Sequence, residues 1–213
     1  MSYLGYRDVD SMIFSVEFME KLILDYAQKK GYTQIAPALE FAKQKHAGQF
    51  RKCKENLAGP YPYVHHPIRV AMHCITLGFD DEDIIVTSLL HDVCEDCGVK
   101  FDELPASDTV KKAVSVLTKD EDIHTSDPDY SKYFGKIRQN DIALLVKILD
   151  RCSNVTDMAV GFDDARIRKY VAETEELIYP LYEEAYRRFP DKKYALINLE
   201  YHTKGIIETI KAV

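Results

Sequence analysis

Apolar residues recur at helical spacing along nearly the whole of this 213-residue chain, and no segment alternates with period two. A chain patterned in this way buries stripes rather than sheet faces, so the expected fold is all-α, a single helical bundle. One amphipathic run spans 12–29 and stops near Gly31; a second spans 34–47 and stops at Gly48. Further helices are expected at about 67–78, 81–95, 108–118, 139–152, 163–188 and 199–211. Gly59, Pro60 and Pro62 break regular structure in the loop from Asn56 to Pro62. The polar stretch 119–138, with Pro128 and Gly135, reads as a long loop carrying a short helical piece. Residues 1–33 are expected to form a helical extension packed on a core domain of 34–213.

Composition narrows the function. No apolar run approaches the ~18 residues that cross a bilayer, so no membrane partner is expected. The opening MSYLGYRDVDSM lacks the basic-then-apolar order of a signal peptide. Five cysteines are an odd number in a chain large enough to bury a core, which points to reduced thiols in a cytoplasm. A net charge of −7 argues against a nucleic-acid partner. It leaves room for a small anionic substrate held by a few basic residues.

The segment IIVTSLLHDVCEDCG carries the most chemistry. Taken as one helix, it places Val86, Leu89, Leu90, Val93, Cys94 and Cys97 on one arc and His91, Asp92, Glu95 and Asp96 on the other. A solvated face mixes both signs of charge. This one stacks a histidine and three carboxylates with no cation among them, and their repulsion calls for a positive partner. A divalent metal would serve. In DIALLVKILDRCSNV, Leu144, Leu145, Ile148 and Cys152 form the buried stripe, while Asp150 and Asn154 lie one turn apart on the other side. His65 and His66 precede Pro67, a residue that suits a first helical turn. Imidazole and carboxylate together favour manganese, iron or zinc over calcium.

These residues fall in five ordered motifs: HAGQFRK (46–52), YPYVHHPIRVA (61–71), LLHDVCED (89–96), LTK (117–119) and VKILDRCSNVTDM (146–158). Together they resemble the RelA/SpoT-type HD-domain hydrolases, which remove pyrophosphate from guanosine tetra- and pentaphosphate; ETEELIYPLY (173–182) is similar to a later helix of that family. The resemblance covers about residues 38–188. It implies an HD-domain fold, Mn²⁺ as cofactor, and His66, His91, Asp92 and Asp150 as its ligands. It implies that Glu95 and Asp96 orient and deprotonate the attacking water. Arg51 and Lys52 would hold the base of a purine nucleotide, and Asn154 would contact its sugar. With no synthetase or regulatory region in view, the expectation is a stand-alone small alarmone hydrolase. After Asn154 the chain reads Val-Thr-Asp-Met, where family members commonly place Arg and Thr before a Leu. That change removes a base near the substrate and opens adenosine alarmones as alternative substrates.

Three classes of function remain at this point: a metal-dependent phosphohydrolase, a silent nucleotide sensor using the same pocket, and a structural helical partner, for which the inward carboxylates would be an unexplained cost. All four candidate ligands and both acids are present, which favours the enzyme. Lys147 and Arg151 flank Asp150 and serve either as phosphate contacts or as balance for buried carboxylates. Cys94 and Cys97 spell C-x-x-C, but both fall on the apolar arc and are expected to pack as small hydrophobes. Tyr61 and Tyr63 lie close to the site and could close over a base, with core packing as their default role.

Overall fold

The computed structural model describes residues 15–51, 61–119 and 128–212. Lys52 and most of the expected 56–62 loop lie outside the described residues, as does 120–127. Among the described residues the fold is all-α, with one small hairpin.

Local chemistry sets the helix ends. α1 (Val16–Lys30) starts where the Ser15 hydroxyl accepts from the Phe18 amide, and stops at Gly31, whose φ of 72° lets the chain turn away. α2 (Ile35–Lys45) leads into β1 (Phe50–Arg51), which pairs antiparallel with β2 (Tyr61–Pro62). α3 (His65–Thr76) and α4 (Glu82–Leu90) follow, then the short α5 (Val93–Cys97). α6 (Asp108–Leu117) is capped by Ser107, α7 runs Pro128–Gln139, and α8 (Asp141–Gly161) is capped by Asn140. α9 (Asp164–Glu173), a π turn (Thr174–Ile178), α10 (Tyr179–Arg188) and α11 (Lys193–Lys211) complete the chain.

α8 is the axis of the bundle: α3, α4, α6, α7, α10 and α11 all pack on it. Ile68, Val70 and Ala71 of α3, Ile85 to Leu90 of α4, and Leu144, Ile148 and Leu149 of α8 are buried at the centre. α1 packs on α2 and α3. Because α4 is enclosed by neighbours, its residues 85–90 are buried on every side, and it has no polar face of its own.

Several expected elements change. The run 81–95 is two helices. His91 Nδ1 donates to Ser88 O at 2.8 Å, taking the carbonyl that the Asp92 amide would use in a continued helix. The chain restarts at Asp92, whose carbonyl accepts from Asp96 N at 2.8 Å. The polar stretch expected as a loop holds a full helix, α7, because Tyr130, Tyr133, Phe134 and Ile137 form an i, i+3, i+4, i+7 stripe against the core. α8 runs on to Gly161, nine residues beyond the expected end, since Val155 and Met158 are buried in a second apolar cluster with Val171 and Ile207. The helix expected over 163–188 widens to π spacing at 174–178. Pro180 has no amide to continue the ladder, and the Tyr179 amide bonds back to Thr174 O instead. Cys94 is buried, while Cys97 is only half-buried, its thiol reaching Lys45 O at the end of α2 at 3.4 Å.

Candidate active site and metal centre

Three elements meet beside the middle of α8. The first turn of α3 supplies His66, the α4–α5 junction supplies His91 and Asp92, and the middle of α8 supplies Asp150. His66 Nε2 lies 3.0 Å from Asp150 Oδ1 and 3.5 Å from Asp92 Oδ2. His91 Nε2 lies 3.1 Å from Asp92 Oδ1 and 3.7 Å from Asp150 Oδ1. His66, His91 and Asp92 offer ligand atoms within 4.8 Å of one another.

The hydrogen bonds around this cluster aim it. A carbonyl only accepts, so the bond to Ser88 O fixes a proton on His91 Nδ1 and leaves Nε2 facing two carboxylates. That nitrogen is buried and has no hydrogen-bond partner. His66 Nδ1 lies 3.2 Å from Ser153 Oγ, and Tyr63 donates to Asp92 Oδ2 at 2.7 Å. Asn154 Nδ2 donates to Asp150 Oδ1 at 2.5 Å, and Lys147 Nζ sits 3.3 Å from Asp150 Oδ2.

The charges packed around the cluster show what it lacks. Burial pushes His66 down to about 4, so it is neutral, the state in which imidazole ligates a metal. On His91 burial acts in the same direction, but Asp92 and Asp150 override it and hold the imidazole well above its ordinary value. Burial would raise the Asp92 carboxyl, yet the His91 charge brings it below the usual carboxylate range. Asp150 is likewise brought down against burial, chiefly by Lys147. The site thus demands positive charge between its imidazoles and carboxylates. Two nitrogens and two carboxylates fit a divalent transition metal, and the orphaned His91 Nε2 gives it a place to bind.

Above the cluster opens a cavity of ≈ 470 Å³, the size of a nucleotide site. Glu95, Asp96, Arg51, Asn154, Lys119 and Lys147 line it. Glu95 and Asp96 stay open to the cavity, and the protein around them, with Asp92 nearby, raises both carboxyls above their ordinary value. Glu95 Oε2 accepts from the Lys119 amide at 2.9 Å. Arg51 donates from Nη2 to Asn154 Oδ1 and lies 5.7 Å from the Tyr63 ring centre.

Of the residues expected from sequence, the structure gathers His66, His91, Asp92, Asp150, Glu95, Asp96, Arg51 and Asn154 at this one site; Lys52 lies outside the described residues. Lys147 turns to Asp150. Arg151 is held in the cavity wall: its guanidinium pairs with Glu173, bonds Thr174 Oγ1 at 3.1 Å and stacks 3.8 Å from the Tyr170 ring centre. Sequence reasoning missed Ser153, Arg69 and Asp157 and left Tyr63 to the core. Asp157 continues the 150, 154 helical face by i+3, and Arg69 is i+3 from His66, so the spacing carried a signal for both.

A scan against protein-family models finds no match. Curated relatives do match. The guanosine-3′,5′-bis(diphosphate) 3′-pyrophosphohydrolase of Aquifex aeolicus is 35% identical over 170 residues, covering 78% of this chain and 23% of that protein. The pyrophosphohydrolase MESH1 of Danio rerio is 29% identical over 143 residues, covering 64% of this chain and 77% of that protein. The chain belongs to the RelA/SpoT-type HD-domain family. Another relative, the bifunctional (p)ppGpp synthase/hydrolase SpoT of Escherichia coli, is 25% identical over 79% of this chain and 24% of its own length. This chain therefore spans about a quarter of the length of the Aquifex aeolicus and Escherichia coli proteins. A solved structure described as a metazoan ortholog of SpoT superposes with a TM-score of 0.62 at 22% identity, over 82% of this chain and 97% of that one. The family's fold is the bundle seen here.

Proposed function

We propose that this chain hydrolyses the 3′-pyrophosphate of guanosine tetra- and pentaphosphate, yielding GDP or GTP and pyrophosphate, with Mn²⁺ as its cofactor. The observation that carries this reading is the buried, unpartnered His91 Nε2, facing Asp92 and Asp150 on the floor of a nucleotide-sized cavity. The names of the relatives supply the substrate class.

His66, His91, Asp92 and Asp150 would hold the metal. A divalent ion bound by them supplies Lewis acidity toward a phosphate oxygen and acidifies a water. Tyr63 and Asn154 keep the two carboxylates in place. We assign Glu95 to take a proton from the attacking water: the Lys119 amide occupies Oε2, and Oε1 is left for the proton. Asp96 orients the same water. The water oxygen bonds to phosphorus as the bond from that phosphorus to the ribose 3′ oxygen breaks, and the proton taken by Glu95 passes to that oxygen. Arg51 stacks on the purine and, with Lys52, holds the base; Asn154 retains one N–H and one lone pair for the sugar.

The test is pyrophosphate release from guanosine tetraphosphate, with Mn²⁺ and with chelator, in the natural chain and in Asp92→Ala. Release that requires Mn²⁺ and falls at least a thousandfold in the variant supports the reading. Release from the adenosine counterpart alone would move the base preference, and no release from either would sink the hydrolase.

A further inference from the structure

Asp157, a carboxylate on the cavity wall, has no part in the reaction above. Asp157 lies on α8 one turn beyond Asn154, within the Val-Thr-Asp-Met stretch that lacks the family's arginine. An arginine reaches it from α3 instead. Arg69 Nη1 donates to Asp157 Oδ1 at 2.9 Å and Nη2 donates to Oδ2, a bidentate pair. Arg69 Nε also donates to Ser153 Oγ at 3.0 Å, and that oxygen lies 3.2 Å from His66 Nδ1. From the other side, Tyr61 donates to Asp157 Oδ2 at 2.6 Å, and Arg51 Nη1 lies 3.8 Å away.

These contacts matter because of what Tyr61 and Arg51 belong to. They are the paired residues of the β1–β2 hairpin, which has only two residues in each strand. A hairpin so short has no independent stability in water. Ties to the bundle hold it: Tyr61 to Asp157, Arg51 to Asn154, Tyr63 to Asp92, and Gln49 Nε2 to Asp96 O at 3.3 Å. Asp157 is the member of this set that meets two guanidinium groups and a hydroxyl at once. Arg51 Nη1 is buried with no hydrogen-bond partner, a donor still to be used.

We propose that the Arg69–Asp157 pair is the positioning device of the hairpin, anchoring Tyr61 and thereby holding Arg51 where its uncommitted Nη1 meets the anionic nucleotide. Arg69 replaces from α3 the base that α8 lacks, and acts through Asp157 rather than on the substrate. The second half of this statement rests on the cavity being the nucleotide site; the anchoring of the hairpin does not.

The test compares Asp157→Asn, Arg69→Gln, their double variant and Tyr61→Phe with the natural chain. Amide exchange is followed without metal or nucleotide at Arg51, Tyr61 and Tyr63, the last bonded to Gln49 O at 2.9 Å. Each single variant is expected to speed exchange of these amides about tenfold, leaving Leu145 and Ile148 of α8 as they were. The double variant should be no worse than either single one. With guanosine tetraphosphate, KM should rise about tenfold while kcat stays within about threefold. Tyr61→Phe, which spares the ion pair, should give a smaller shift in the same direction. Hairpin amides that exchange as in the natural chain, additive effects in the double variant, or equal losses in kcat and 1/KM would each overturn the proposal. If the natural chain releases no pyrophosphate, the function falls, and the exchange data alone decide the anchor.

Discussion

Glu95 and Asp92 stand three residues apart on one turn of backbone, yet their surroundings separate them. Asp92 touches both imidazoles, with Tyr63 bonded to its Oδ2. Glu95 faces the cavity and bonds only the Lys119 amide among the described residues. Substitution should separate them too. Glu95→Gln keeps the shape and the amide bond while removing the base, so kcat should fall about 10²–10⁴-fold with metal still bound one to one. Asp92→Asn should lose the metal itself, read as Mn²⁺ retained after gel filtration. Equal metal loss in both variants would make Glu95 a ligand. The signal for these residues was legible because four polar groups in six positions, none a cation, cannot be an ordinary solvated face. Ser153 and Tyr63 were not legible: a serine and a tyrosine look alike in sequence whether or not an imidazole or carboxylate lies against them.

At the level of elements, α8 and α9 are joined by the pair Arg151–Glu173, with Arg151 only 2% exposed. Glu173→Ala would leave a buried guanidinium uncompensated, at a cost of about 3 kcal/mol in unfolding free energy. Chemical denaturation would show it; a loss under about 1 kcal/mol would mean that Tyr170 and Thr174 suffice. α3 carries a half-buried histidine, His73, whose Nδ1 is buried without a hydrogen-bond partner. Burial, helped by the charges of Arg69 and His202, pushes His73 down to about 4. Its folded value lies below its unfolded one, near 6.5, so the unfolded chain binds more protons between the two. Stability from this group is complete above about pH 6.5 and is lost as pH falls toward 4. His73→Gln should therefore flatten the fall in stability between pH 7.5 and 4.5, by on the order of 2 kcal/mol. Parallel pH curves for the two proteins would count against it. The course of α7 shows why some elements hid in the sequence: its stripe of Tyr130, Tyr133, Phe134 and Ile137 is helical, but Pro128 and Gly135 argued for a loop. Pro128 instead sits at the helix start, where a missing amide costs nothing.

For the whole molecule, the metal is expected to act as a clasp, since its ligands come from α3, the α4–α5 junction and α8. Mn²⁺ at about a hundred times its Kd should add about 2.7 kcal/mol to unfolding. For a chain of this size that lifts Tm by about 5–10 °C. The gain should vanish in Asp150→Ala; a Tm indifferent to Mn²⁺ in the natural chain would count against a built metal site.

Periodicity was enough to read the all-α class and the helix cores, because an amphipathic stripe is a property of local spacing. The candidate ligands were legible as well, because motif order survives in a single chain. Tertiary packing decided the rest. It broke the 81–95 helix at His91, because the imidazole competes for a helical carbonyl only where neighbouring carboxylates turn it inward. It carried α8 on to Asp157, because Val155 and Met158 find α9 and α11 there. It brought Arg69 to Asp157 across 88 positions of sequence, a pairing that no local pattern encodes.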